Sequence, residues 1–151
     1  MSKKELLVSA LENGTVIDHI SVGQVMRVMH ILGLDDCDSM IYLGANLSSQ
    51  KYGKKGIIKV ADKFFKEEEI NKIALVSPYA TIIEVRNFEV VKKIQVSLPK
   101  EIHGSVKCMN PNCITNHQPV ETFFNVIETP DIKLHCHYCE KNSLPEAIEF
   151  I

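Results

Sequence analysis

Runs of apolar residues alternate with short polar stretches over the first two-thirds of the chain, and their spacing predicts strands and helices in turn. Thr15-Val16-Ile17-Asp18-His19-Ile20 is β-rich and follows Gly14, which predicts a strand. Ser21 is a candidate N-cap for a helix in which Val25, Val28, Met29 and Leu32 recur at helical spacing before Gly33 ends the run. Met40 to Leu47 and Ile57 to Val60 read as strands of a hairpin around a polar loop, Ser48 to Gly56. Lys66-Glu67-Glu68-Glu69 opens a second helix, with acidic residues at its positive end and Ile70, Ile73 and Ala74 on its apolar side. Ala80 to Val85 and Phe88 to Val96 read as two more strands. The order β-α-β-β-α-β is the split arrangement of an α+β, ferredoxin-like sandwich: a four-stranded antiparallel sheet with both helices on one face. The other face is then free for something else.

The pattern changes at Val96-Ser97-Leu98-Pro99-Lys100, where a proline follows the last long strand, so residues 1–97 and 98–151 are expected to be separate domains. The second is short and β-rich. Charge divides unevenly, with 13 Lys+Arg against 12 Asp+Glu in the first part and 4 against 7 in the second. A net charge of −3 disfavours nucleic acid as partner of the second domain, because that binding draws on Lys and Arg at phosphates. No apolar stretch reaches membrane-spanning length, and the N-terminal MSKKELLVSALENG lacks a sustained apolar run of signal type. A cytoplasmic location away from membranes is the expectation.

Candidate chemistry is concentrated in that second domain. Cys108 and Cys113 form C-x4-C, and after twenty-two residues Cys136 and Cys139 form C-x2-C. Two close pairs on two short loops are the arrangement by which four thiolates grip one tetrahedral Zn²⁺, and a site filled by four sulfurs has no position open for substrate. One structural zinc per chain is therefore expected. It would contribute ~10–16 kcal/mol of apparent binding free energy to a domain too small to fold on its own core. Two disulfides would need an oxidising compartment, and a Cys136–Cys139 redox pair would normally open a helix after a strand. His117, His135 and His137 lie near enough in sequence to replace a sulfur, although four cysteines already complete the set. Cys37 has no cysteine nearby and reads as an ordinary free thiol.

No phosphate-loop, dinucleotide, nucleophile-elbow or H-E-x-x-H motif occurs, which moves expectation from enzyme toward binding or regulatory protein. Asp18 and His19 in an apolar strand, with Lys59 and Lys93 in or beside others, admit two readings. They are a satisfied histidine with solvated edge lysines, or they line a small pocket where lysines meet phosphate and a carboxylate meets ribose hydroxyls.

Several separated segments carry a resemblance: Gly14-Thr15-Val16-Ile17-Asp18-His19-Ile20, Gly44-Ala45-Asn46-Leu47, Asn87-Phe88-Glu89-Val90-Val91, Ser97-Leu98-Pro99, Cys108-x4-Cys113-Ile114 and Cys136-x2-Cys139-Glu140-Lys141. In this order and at these distances, the whole chain resembles the regulatory chains of aspartate carbamoyltransferase. The resemblance implies a non-catalytic subunit for allosteric control of pyrimidine biosynthesis. A first domain would bind CTP or ATP and a zinc domain the catalytic chain, with regulatory dimers inside a dodecamer of six catalytic and six regulatory chains. It further implies an effector site at Val8, Leu11, Val16, Asp18, His19, Ile57, Lys59, Val85, Phe88, Val90 and Lys93. Asp18 and Lys59 would lie near the ribose, His19 and Lys93 near the triphosphate, and backbone groups around Leu11 and Phe88 at the base edge.

The chain departs from that pattern at three places. Ser9 stands where the best-known members have an acidic residue, and Ile83 where they have an asparagine that approaches the phosphates. Between Phe124 and Asp131 the chain is one residue shorter, and Ile127-Glu128-Thr129-Pro130 replaces a basic stretch that helps contact catalytic chains. The competing reading is an independent zinc-ribbon adaptor for nucleic acid or another protein, which the acidic charge of residues 98–151 disfavours.

Overall fold

A computed structural model describes residues 11–50, 53–128 and 131–151. The chain divides into two compact units between Ser97 and Leu98.

The first unit is built on one antiparallel sheet. Strands β1 (Gly14–Ile20), β2 (Ile41–Ser49), β3 (Gly53–Ala61), β4 (Thr81–Arg86) and β5 (Glu89–Gln95) take the order β2-β3-β1-β4-β5. The α+β class and the ferredoxin-like order are thus present, with five strands rather than the four expected. The fifth is β5, the stretch read from the sequence as the strand Phe88 to Val96, which returns along β4 as a hairpin beyond the four strands that the β-α-β-β-α-β order counts. Its residues are nearly all exposed and it carries Glu89, Lys92 and Lys93, the charged character that keeps a sheet edge from pairing further. Central β1 is the opposite, with Thr15 and Ile17 fully buried.

Helices α1 (Val25–Ile31) and α2 (Glu67–Ile73) set Val25, Val28, Ile70 and Ile73 into the core with Ile17, Ile58, Val60 and Ile82. Gly56 marks the covered face, because a Cβ there would collide with the Val25 side chain. Ser21 does not cap α1. Gln24 holds that position without a side-chain bond, while the Ser21 N–H donates to Ser77 Oγ at 2.9 Å and so ties the helix entry to fully buried Ser77. At α2 the Glu69 carboxylate accepts the Lys66 N–H at 3.1 Å, satisfying one orphan donor in a turn that holds Glu67, Glu68 and Glu69.

The expected polar loop, Ser48 to Gly56, is mostly ladder. Leu47 pairs with Lys55, Ser48 with Lys54 and Ser49 with Gly53, since backbone pairing satisfies the chain there whatever the side chains. Phe88 likewise lies outside β5, in a two-residue turn with Asn87. Both have positive φ, 53° and 64°, the signature of the type I′ hairpin turn. A bulge in β1 between Ile17 and Ile20 puts His19 at φ 56°.

The second unit contains β6 (Glu101–His103), β7 (Val106–Lys107), β8 (Phe123–Ile127), β9 (Lys133–Cys136), β10 (Asn142–Ser143) and β11 (Glu149–Phe150). They form one sheet in the order β10-β9-β8-β6 and a separate β11-β7 pair. Its buried hydrophobic side chains include Ile102, Val106, Phe124, Leu134 and Ile148, a small core completed by Cys108, Cys113 and Cys136. So little apolar burial makes a metal cross-link energetically important.

Candidate metal centre and effector face

Four thiols converge from two knuckles. Cys108 follows β7, Cys113 precedes the 3-10 turn Ile114–Asn116, Cys136 ends β9 and Cys139 lies three residues on. Their Sγ atoms all lie within 4.8 Å of one another. Cys108–Cys139 and Cys113–Cys136 stand at 3.7 and 3.8 Å. A tetrahedron with Zn–S bonds of ~2.3 Å has edges of ~3.8 Å, whereas a disulfide needs ~2.05 Å. The cluster is therefore suited to one zinc ion and not to bridges.

The loops are held independently of any ion. Asn116 Nδ2 donates to the carbonyls of Cys108 and Asn110 at 2.9 and 2.8 Å, and the Asn110 carbonyl accepts the Cys113 N–H at 3.0 Å. In the second knuckle Glu140, at φ 62°, donates its N–H to the Cys136 carbonyl at 2.9 Å. Burial pushes the Cys108 thiol up to about 12. Burial also opposes ionisation of Cys139, but hydrogen bonds from the Asn110 side chain and the Lys141 backbone outweigh it and bring that thiol down to about 6. Burial likewise raises Cys136, while at Cys113 burial is outweighed by hydrogen bonds from Thr115 that lower it. Two of the four thiols are thus held toward the protonated form, and a divalent cation must displace those protons.

None of the three nearby histidines belongs to the cluster. His117 Nε2 lies 2.7 Å from the Pro111 carbonyl and His135 Nδ1 2.8 Å from Asn142 Oδ1. His137 stacks on Phe123 at 4.6 Å between centroids. Cys37 stands apart from the four, its thiol lowered by hydrogen bonds from Ser39.

In the first unit, strand register arranges the residues named from the sequence. Val16 pairs with Lys59 on one side and Ile83 on the other, and Ile83 pairs with Lys93. Paired residues share a face, so Lys59, Val16, Ile83 and Lys93 form one row across four strands. This face is opposite the one that Gly56 and Ile58 present to α1. Alternation adds Asp18, Ile57 and Val85 to it, and Val90 pairs with Val85. Leu11, Val16 and Val85 form its apolar floor, packed against Ile57, Ala61 and Ile83. Phe88 stands at the rim and is 63% exposed. Val8 and Ser9 lie outside the described residues, as do Thr129 and Pro130.

The polar groups are paired among themselves. Asp18 Oδ1 accepts the His19 N–H at 2.7 Å and meets Lys55 Nζ at 2.8 Å, and His19 Nδ1 lies 3.9 Å from Asp18 Oδ2. Lys55 was not singled out by the sequence pattern, which assigned it to a loop. The available signal was its two-residue spacing from Ile57 and four-residue spacing from Lys59 on one strand. Burial lowers the Lys59 ammonium below the usual lysine value, and the charge of Asp18 partly restores it. Beside this group His19, Ser21, Lys54, Lys55 and Tyr79 line a cavity of about 240 Å³.

Fold and site together define a class: a two-unit α+β protein whose smaller unit is pinned by a closed tetrathiolate metal centre. Residues 6–97 match the family described as aspartate carbamoyltransferase regulatory chain, allosteric domain, and residues 100–149 match its metal binding domain. Aspartate carbamoyltransferase regulatory chains of Bacteroides thetaiotaomicron and Phocaeicola vulgatus are 49% and 50% identical over 150 residues. They align across 99% of this chain and 98% and 97% of their own lengths. The counterpart from Pyrococcus horikoshii is 49% identical over 146 residues, covering 95% of this chain and 96% of its own. The chain belongs to the family of aspartate carbamoyltransferase regulatory chains. It is a non-catalytic, allosteric subunit in pyrimidine biosynthesis.

Proposed function

We propose that the chain binds nucleotide effectors, CTP or ATP, on the sheet face of its first unit opposite the described helices, and the aspartate carbamoyltransferase catalytic chain through residues 98–151. The observation that carries the effector reading is the row Lys59–Val16–Ile83–Lys93 beside Asp18 and His19. Cations at both ends of an apolar floor fit a polyanion with a flat base, and Asp18 is the acceptor that ribose hydroxyls need. In this reading Lys59 and Asp18 serve the ribose and His19 and Lys93 the triphosphate, while carbonyl and N–H groups near Leu11 and Phe88 meet the base. Val8, Val16, Ile57, Val85 and Val90 would enclose it.

Cys108, Cys113, Cys136 and Cys139 would hold one zinc, which supplies a cross-link and no chemistry. The assembly would be cytoplasmic, with regulatory dimers joining catalytic chains into a dodecamer of six and six. An effector alters catalysis only through unequal affinity for two states of that assembly. The test is calorimetric titration of the full chain with CTP and ATP, alongside co-purification with catalytic chains. Lys93→Ala and Lys59→Ala should each weaken nucleotide binding by roughly 1.5–3 kcal/mol, the range for a hydrogen bond to a charged group, and spare zinc and assembly. Unchanged affinity in both variants would place the site elsewhere.

A further inference from the structure

Asn13 joins three separate pieces of the first unit. Its backbone carbonyl accepts the Asp62 N–H at 2.9 Å, just past the end of β3. Its side-chain Oδ1 accepts the Asn87 N–H at 3.1 Å, in the turn between β4 and β5. Next to it, the Glu12 carbonyl accepts the Phe88 N–H at 2.9 Å. Gly14, which follows, has φ 145° and no room for a Cβ against the Val60 carbonyl, so the backbone at Asn13 is fixed on its C-terminal side.

The turn it holds is costly by itself. Type I′ turns favour Asn-Gly, because both central residues need positive φ. Here the second position is Phe88, a bulky residue at φ 64° with 63% of its surface exposed, so packing of the ring does not hold the turn in place. The Arg86–Glu89 pair closes the hairpin, and among the described residues the bonds to Asn13 and Glu12 anchor its tip to the rest of the unit.

We infer that Asn13 is a positioning residue for the proposed effector site: through its side-chain acceptor it fixes the Asn87–Phe88 turn, and with it the backbone groups near Phe88 that the effector reading assigns to the base edge. This rests on the effector reading above. Asn13 itself need not touch the nucleotide. The requirement is for an acceptor at Oδ1, which aspartate reproduces and alanine does not.

The experiment uses the full zinc-loaded chain with Asn13→Ala and Asn13→Asp, after melting curves and zinc content show that both fold. Amide hydrogen exchange at Asn87 and Phe88 is measured without nucleotide, and affinity for CTP and ATP by calorimetry. Asn13→Ala should speed exchange at both amides by about tenfold, and Asn13→Asp should leave them protected. Asn13→Ala should also weaken nucleotide binding roughly three- to tenfold, the loss of one net hydrogen bond, with Asn13→Asp close to the native chain. Unchanged exchange in Asn13→Ala overturns the inference whether or not nucleotide binds, and so does an Asn13→Asp variant as impaired as Asn13→Ala. A native chain that binds neither nucleotide while Asn13→Ala still frees the turn overturns the effector reading and the positioning role with it, and leaves Asn13 a structural brace.

Discussion

Lys55 Nζ lies 2.8 Å from Asp18 Oδ1, and the two side chains are only 21% and 17% exposed. A pair this sheltered is more than a surface ion pair, since loss of the cation leaves a carboxylate largely shielded from water. Lys55→Met should destabilise the five-stranded sheet by about 1 kcal/mol, and Asp18→Asn in the same chain should recover most of that. Urea unfolding of the single and double variants measures the coupling. Additive effects would mean that Asp18 is satisfied by the His19 N–H alone.

Lys59 gives a pH prediction whose sign follows from its lowered value, caused first by burial and opposed by Asp18. In the folded state the ammonium loses its proton more readily than in the unfolded chain. Its unfavourable contribution is therefore fully present at neutral pH and fades as pH rises through the lowered folded value toward the ordinary 10.5. Lys59→Met should be more stable than the native chain at pH 7, by no more than about 0.5 kcal/mol because much of the side chain remains solvated. The difference should shrink toward pH 10, and nucleotide binding should be weakened throughout. Paired melting curves at pH 7 and 10 check this; a gap that widens with pH would reverse the assigned cause.

Zinc removal acts on the other unit. With Sγ separations already near tetrahedral edges, Cys113→Ser or Cys139→Ser leaves an incomplete shell around a core of few side chains. Each variant should lose its metal and its association with catalytic chains, and mercurials should release the native chain from the assembly. Metal analysis and gel filtration report both losses. The five-stranded sheet has its own core, so amide protection in β1 should survive. Collapse of that protection on chelation would show that the two units do not fold independently.

How far these features were legible in the sequence depends on what fixes them. The zinc ligands were legible because four sulfurs on two short loops leave few geometric choices. The strand that holds Asp18 and the helix that holds Val25 and Val28 followed from residue type and period. Lys54 and Lys55 were not legible as strand residues, because backbone pairing with Leu47 and Ser48 decides their conformation and leaves no hydrophobic trace. Ser21 has a capping side chain, but its N–H is taken up by Ser77, fifty-six residues away, a tertiary partner that no local pattern contains. The proposed effector face is intermediate: Asp18, His19, Lys59 and Lys93 stood out as polar residues in or beside apolar strands, the other members came from resemblance, and the register of β3, β1, β4 and β5 supplies the physical reason that they could act together.

Ile83 offers the sharpest test of that register. It sits between Val16 and Lys93 in the row, half-buried against the floor formed by Leu11, Val16 and Val85, where an asparagine amide could donate to a phosphate beside the lysine. Ile83→Asn exchanges apolar contact for a donor. The free chain should lose roughly 1–2 kcal/mol of stability, less than a fully buried truncation because the site is partly open. Nucleotide affinity should rise by roughly 0.5–1.5 kcal/mol, the net value of one added hydrogen bond, and the response of the reconstituted holoenzyme to CTP should strengthen with it. Lys93→Ala in the same background separates the two effects: it should lower affinity and leave the stability loss unchanged. If Ile83→Asn costs stability without tightening CTP or ATP, the phosphates do not reach the centre of the row, and Ile83 does not set the strength of the response.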